Sequence, residues 1–486
     1  MRGTGLKQQL CVCFVLISLC IGLRFPSFDL SVIDHDESTY LVIAEAVLRG
    51  QSLYIDIWDT KPVGIFLFVA MALKVMGGSI WGLRFFGALV IGLSASLLFM
   101  ALARRQSNLP ACFFGALIFL GLSSAPLYGL PCHIEHFFAF FTAAGFFALS
   151  TPELKNKESI AGILFGLGFI VKYVVLLEAL PLFFFLVLLP RLNEKDLSLS
   201  SSTWEWFKQA FAKPTLRFVI ALLLPFILCH LYFLGNGHFE AFYRVTYVIP
   251  SRYISEQNWY LAWQMIADYH QRWWPLIIPS YLGLFLMVAR RAWSRFCLGA
   301  LWLCVVWLSV LASGKYFTHY LLQLSLPLAY CAHEMLRRLP SRRSVLFGLL
   351  VLTLPMYALF EAYDHHKTRF QSLPDIPREV AAVLQPLLRE DDLIYTANFD
   401  HVLYHLLKRP SPTPYVHRSL MTNPRHLQTL QINPIGELDK ILKQKPRFIV
   451  TVGRYPHQFL TRSLERDYQR IKVIRERHWI YERRSP

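Results

Sequence analysis

Charge is scarce in this chain of 486 residues: Asp, Glu, Lys and Arg together make up 17%, where an ordinary soluble domain carries about 25%. Hydrophobic residues take 55% and mean hydropathy is +0.39. This balance excludes a soluble enzyme, a disordered chain and a coiled coil, and leaves a polytopic helical membrane protein. Alternation of apolar and polar residues is missing too. The apolar runs are long and continuous, which excludes a transmembrane β-barrel. Paired cysteine motifs are absent. The 9 cysteines lie mostly inside apolar stretches, with Cys132 alone near an expected outer loop, none after Cys331, and no zinc-type CxxC pair. There is no internal repeat and no low-complexity segment. Acidic residues are outnumbered, giving a net charge of +17. The basic residues sit in short clusters between apolar runs, as membrane orientation requires, so nucleic acid is not the expected partner. The 38 Phe and 12 Trp suit lipid-facing and interfacial surfaces.

Eleven apolar runs are readable, at 10–23, 81–103, 110–128, 134–150, 159–171, 174–190, 216–235, 273–289, 295–313, 319–336 and 344–362. A further run at 63–76 ends at Gly77-Gly78 and is shorter than the ~20 residues a span needs. It is expected to be an interfacial or partly inserted helix. The first run follows Arg2 and Lys7 as in a signal peptide. It continues as Gly22-Leu23-Arg24-Phe25-Pro26 without a small-x-small site, so an uncleaved anchor is expected.

Eleven spans with a cytoplasmic N-terminus place Arg104, Arg105, Lys155, Lys157, Arg191, Lys195, Lys208, Lys213, Arg290, Arg291, Arg295, Arg337, Arg338, Arg342 and Arg343 inside. The late outer loops then hold only Arg244, Arg252, Arg272 and Lys315. That asymmetry is the positive-inside pattern. Counting 63–76 as a span would invert it. The expected architecture is a transmembrane domain over 1–362, whose first outer loop spans 24–80, and an extracytoplasmic α/β domain over 363–486. In the tail, Leu393-Ile394-Tyr395 and 448–452 read as strands, and His401–Lys408 and Ile435–Lys443 as helices. Lys472-Val473-Ile474 and Trp479-Ile480-Tyr481 read as a closing hairpin.

Chemistry concentrates in the outer loops. Ile33-Asp34-His35-Asp36-Glu37-Ser38-Thr39-Tyr40 puts three carboxylates within four residues, directly after the anchor. A capping box explains Asp34 and Glu37, with a helix running through Tyr40, Ile43 and Val47 to Gly50. It leaves Asp36 unexplained, and a charge beside the bilayer is costly without a function. Asp56-Ile57-Trp58-Asp59-Thr60-Lys61-Pro62 places a lysine before a proline-started apolar helix. There an ammonium and a helix N-terminus both suit phosphate, although a snorkelling anchor looks the same. His133-Ile134-Glu135-His136 opens a span. Glu135 lies in its first turn, as a cap or a functional acid, and His133 and His136 have spacing suited to a metal. Gly314-Lys315-Tyr316-Phe317-Thr318-His319-Tyr320 brings a cation, a His and a Tyr to a membrane entrance, where an aromatic belt is the plainer account. Arg84 is another outward cation. Lys172 and Glu178 are the mid-span charges. His401 with His405, and His365 with His366, read as surface pairs.

The order Asp36-Glu37-x-x-Tyr40, Gly50, Asp59-x-Lys61-Pro62, Arg84-Phe85 and His319-Tyr320 through Pro327 resembles the bacterial branch of the protein O-mannosyltransferase superfamily. These are membrane glycosyltransferases of the GT-C fold, among them lipid A aminoarabinose transferases and lipopolysaccharide-core sugar transferases. The likeness covers roughly 10–340 and is strongest in the first 90 residues. Asp400-His401-Val402-Leu403-Tyr404 and Lys408-Arg409-Pro410 are similar to the outer domain of such proteins. The resemblance implies a polyprenyl-phosphate-sugar donor, an inverting displacement, and a glycan, lipid or protein acceptor. The lack of cysteine in the tail points to a bacterial inner membrane with that tail periplasmic, and a monomer is expected. Asp36 matches the base, Glu37 a residue that supports it or binds a sugar hydroxyl, and Glu135 a second carboxylate. Lys61 matches the phosphate-binding lysine. Asp34, Tyr40, Asp59, Arg84, His133, Lys315, His319 and Tyr320 complete the expected substrate site. No cofactor is required, and a divalent metal is a lesser expectation. Val63 stands where a second proline is common. Thr60 stands where the aminoarabinose branch is often acidic and binds metal, which counts against that branch. The competing readings are a transporter or flippase of a lipid-linked sugar, and a noncatalytic assembly or sensor protein.

Overall fold

The computed structural model describes residues 2–106, 108–193, 212–253, 257–339 and 341–484. Lys195 and Lys208 lie outside the described residues, as do the side chains of Arg2, Arg342 and Arg343. The chain forms two compact units. One comprises Met1–Phe28, Arg84–Tyr232 and Ile254–Gln371, and the other Asp29–Leu83, Phe233–Tyr253 and Ser372–Pro486.

The first unit is helical, and each of the eleven apolar runs lies on helix. Among the described residues five helices are long and apolar enough to cross a bilayer, including Ile80–Arg105, Lys213–Gly235 and Trp293–Ala312. Leu109–Ser124 and Ile134–Leu149 are apolar but shorter. The run at 174–190 is helix Val175–Phe183 followed by a wide turn over Phe184–Leu188, just after Pro181. The run at 319–336 starts as a tight helical turn, Thr318–Leu324, and relaxes into Ser325–Leu336. The helix Trp259–Ala289 begins earlier than its apolar run, because it continues across a kink at Trp273 (φ −111°, ψ 17°) just before Pro275.

Glycine sets how closely these helices approach, as expected where no hydrophobic drive acts between spans. A Cβ on Gly283 would lie 1.9 Å from the Cys331 carbonyl oxygen, and one on Gly166 2.3 Å from that of Leu222. The mid-span carboxyl is hydrogen-bonded: Trp302 Nε1 donates to Glu178 Oε2 at 2.8 Å, with both side chains buried. The last helix runs Ser341–Ser372, so the boundary expected at 362/363 falls inside it.

The second unit is built from segments far apart in sequence. The helix His35–Leu48 starts where Asp34 accepts from the Asp36 amide at 2.7 Å, and the chain turns at Gly50 (φ +88°). The run at 63–76 is the helix Val63–Val75, of 13 residues, packed on His35–Leu48. It leaves Leu67, Met71 and Val75 exposed along one stripe. The tail holds a four-stranded sheet in the order β1 (Ile394–Thr396), β2 (Phe448–Val452), β4 (His478–Arg483), β3 (Tyr468–Ile474). β1 and β2 run parallel, with Tyr395 opposite Ile449, and the other pairs are antiparallel. The helices Val402–Leu406 and Pro434–Lys443 lie where the sequence pattern puts them. Short amphipathic helices such as Gln458–Asp467 complete the layer on the sheet.

Candidate active site

Within the second unit the first-loop motifs converge. The Lys61 ammonium lies 3.2 Å from Asp36 Oδ1 and 3.7 Å from Asp59 Oδ1. The backbone holds it there: Asp59 Oδ1 accepts from the Lys61 amide at 3.1 Å, and the Tyr54 hydroxyl donates to the Lys61 carbonyl at 2.8 Å. Asp59 is buried, while Lys61 and Asp36 keep a partial solvent face. Tyr40 lies beneath, its ring centroid 5.8 Å from the ammonium. Glu37 is buried one position beyond Asp36. The capping account of Asp34 thus holds, and it leaves the Asp36 carboxylate turned to the lysine.

The tail of the same unit grips this loop. Trp58 donates its amide to the Pro414 carbonyl at 2.9 Å, and its ring stands edge-on to Tyr415 at 5.6 Å. The next tail residues bring His417 Nε2 to 3.9 Å from Asp36 Oδ1. The Ser419 amide donates to His417 Nδ1 at 3.2 Å, which makes Nδ1 the acceptor and leaves the Nε2 proton facing the carboxylate. His35 Nδ1 lies 3.1 Å from Asp400, and Arg418 reaches the same carboxylate at 3.8 Å. His401 Nε2 donates to Thr39 Oγ1 at 2.9 Å and to the His35 carbonyl at 3.1 Å. Burial lowers the pKa of all three imidazoles, most for His401; the Asp400 carboxylate opposes it at His35 and Asp36 opposes it at His417.

The surface reading of the histidine pairs is therefore corrected. His401 is fully buried and His366 is buried, whereas His365 is exposed. His405 is partly buried and meets Glu45 at 2.8 Å. Histidine side chains at these positions look like solvated surface until residues distant in sequence, such as Thr39 against His401 and Glu45 against His405, cover them.

A second cluster forms within the first unit. Glu135, buried in the first turn of Ile134–Leu149, meets the Lys172 ammonium at 2.5 Å. Lys172 is extended (φ −153°) at the break between the helices Lys157–Val171 and Val175–Phe183, and it lies 4.2 Å from the Tyr320 ring centroid. The His133 and His319 rings stack at 4.5 Å. His133, Glu135 and His319 each offer a ligand atom within 4.8 Å of the others. Among the described residues the ligand atoms that converge are those of His133, Glu135 and His319, so His136 is not part of the group; its Nε2 donates to the Ser123 carbonyl at 3.2 Å. Arg84 is fully buried and donates to the Ser27 carbonyl at 2.6 Å. The Lys315 amide donates to Ser313 Oγ at 3.3 Å. Lys172 is missing from the sequence-derived site. The signal that could have placed it there is its charge inside apolar surroundings, which requires an acidic partner.

Comparison with known proteins bears on this architecture. The crystal structure of ArnT from Cupriavidus metallidurans bound to undecaprenyl phosphate matches with a TM-score of 0.65, over 99% of this chain and 98% of that one, at 14% identity. The chain has the GT-C fold. It is a multi-pass helical membrane protein with a small C-terminal sheet, as its apolar helices and this GT-C likeness require. Residues 60–233 match the family described as dolichyl-phosphate-mannose-protein mannosyltransferase, so the matched GT-C segment begins beside Lys61 and includes Glu135 and Lys172. No curated protein sequence matches significantly.

Proposed function

We propose that this chain is an inverting glycosyltransferase. It moves a hexose or pentose from a polyprenyl-phosphate carrier to a hydroxyl or phosphate of an envelope glycan, lipid A or protein. The observation that carries the reading is the Lys61 ammonium pinned between Asp36 and Asp59 beside the apolar helix Val63–Val75. For a hydroxyl acceptor, Asp36 takes the proton as the oxygen attacks the anomeric carbon. The bond from that carbon to the carrier's phosphate oxygen breaks, and its electron pair leaves with the phosphate, whose charge Lys61 faces. The GT-C fold and the undecaprenyl phosphate bound to ArnT support a lipid-phosphate donor. Glu135 is proposed as a further functional carboxylate within the first unit, and the chain as a monomer.

The reaction is assigned to the periplasmic face of a bacterial inner membrane, with the N-terminus cytoplasmic. The packing inside the first unit supports this topology. Connections expected outside meet one another: Arg24 donates to the Gly129 and Leu130 carbonyls, His133 stacks on His319, and Lys172 pairs with Glu135. Connections expected inside also meet, with Arg295 and Arg337 converging on Glu334 at 3.3 and 2.8 Å.

The decisive experiment is mass spectrometry of lipid A and envelope glycans from cells with and without the gene. A sugar should disappear on deletion and return with the wild-type chain but not with Asp36→Asn. A general base contributes about 10²–10⁴-fold, so Asp36→Asn should show no transfer while remaining monodisperse in detergent. Full restoration by Asp36→Asn would remove it as the base. Transfer by the purified protein without vesicles would exclude a flippase.

A further inference from the structure

The cluster around Glu135 contains buried polar atoms that the protein itself does not satisfy. His133 is 1% exposed, and neither ring nitrogen has a hydrogen-bond partner among the described residues. A buried imidazole with two orphaned nitrogens costs the desolvation of both. Glu135 is also 1% exposed. Its Oε1 meets Lys172 at 2.5 Å, and its Oε2 is buried without a partner. His319 brings a further imidazole, and the three residues place one ligand atom each within 4.8 Å of the others. A cation would satisfy the orphaned oxygen and one orphaned nitrogen at once.

We propose that His133, Glu135 and His319 form a binding site for one divalent transition-metal ion. Two imidazoles and a carboxylate suit zinc or cobalt, whereas magnesium and calcium prefer all-oxygen shells. Three protein ligands leave a coordination position for an external oxygen, as in zinc sites that bind water or substrate. The carboxylate holds Lys172 on Oε1 and offers Oε2 to the metal, so the two cations need not compete for one atom. Lys172 is retained on its far side by the Tyr320 ring. The imidazole lone pairs lie in the ring planes, so the stacked His133 and His319 rings, 12° from parallel, must turn toward a common point when the ion binds. Sequence spacing does not show this set, because His319 comes from a turn 184 residues beyond Glu135 (319 − 135).

The untagged full-length chain, purified in detergent and stripped with a chelator, tests the proposal with metal alone. Zinc should bind at one ion per chain, and cobalt should give ligand-field absorption bands. His319→Ala and Glu135→Gln should each weaken zinc binding at least as much as loss of an outer-shell partner does, about 10–100-fold. His136→Ala should retain one zinc, and magnesium should not displace it. Should His133→Ala fail to fold, the half-buried His319 and the isosteric Glu135→Gln still decide. Absence of stoichiometric zinc in the wild-type chain, or equal retention by His319→Ala and Glu135→Gln, would overturn the site. No sugar donor is involved, so a metal-free result leaves the proposed transfer standing. Restoration of transfer by Asp36→Asn would leave the metal count unaffected.

Discussion

At the scale of single residues, the site depends on an ammonium held by two carboxylates. Lys61→Ala removes the positive charge but leaves Asp36 in place, so steady-state kinetics should show a raised KM for the donor with a smaller change in kcat. An unchanged donor KM would count against a phosphate role. The buried histidines make the second unit sensitive to acid. An unfolded histidine titrates near 6.5, whereas burial holds His401 well below that, and His35 and His417 are lowered as well. As pH falls through about 6.5, the unfolded chain takes up protons that the folded one refuses, so stability falls. The thermal midpoint should therefore drop between pH 7 and 5.5, with a shallower slope in His401→Gln, and a flat wild-type profile would contradict this. Asp36 and Lys61 were legible because each breaks a local rule: one exceeds what capping needs, the other sits just before an apolar helix. His401 and Lys172 were not, because their partners lie 362 (401 − 39) and 37 (172 − 135) positions away.

Secondary-structure elements were the most legible level. Continuous apolar runs cannot satisfy their backbone in lipid except as helix, and every one of them is helical. What the runs did not show is where a helix bends or tightens: Trp273, the wide turn after Pro181 and the tight turn before Ser325 reflect packing and proline position. Two substitutions test the elements. Asp34→Ala removes the cap of His35–Leu48 and should cost about 1 kcal/mol, seen as a lowered thermal midpoint. Gly283→Ala puts a methyl against the Cys331 carbonyl, where the backbone cannot yield cheaply, and overpacking costs about 1–3 kcal/mol. Its midpoint should fall further than that of Gly235→Ala, where an added Cβ meets nothing within 4 Å. The bridge from Trp58 to Tyr415 had no local signature, since pairing at that separation is fixed by the finished fold.

Over the whole molecule, charge asymmetry predicts topology. The tail contains no native cysteine, so a single exposed one there reports sidedness. Asp439→Cys should react with a membrane-impermeant maleimide added to spheroplasts, whereas Lys155→Cys should react only after lysis. The reverse pattern would invert the assignment. The second unit, however, does not coincide with the tail: Asp29–Leu83 and Phe233–Tyr253 fold into it together with Ser372–Pro486. The helix bearing Asp36 leaves the ribosome well before the strands and histidines that complete its surroundings. Throughout synthesis that helix must wait, exposed, for partners not yet made, and contacts at such separation form slowly. A polypeptide cut short before the closing hairpin would consequently carry the Asp36 helix without the tail residues that pack around it.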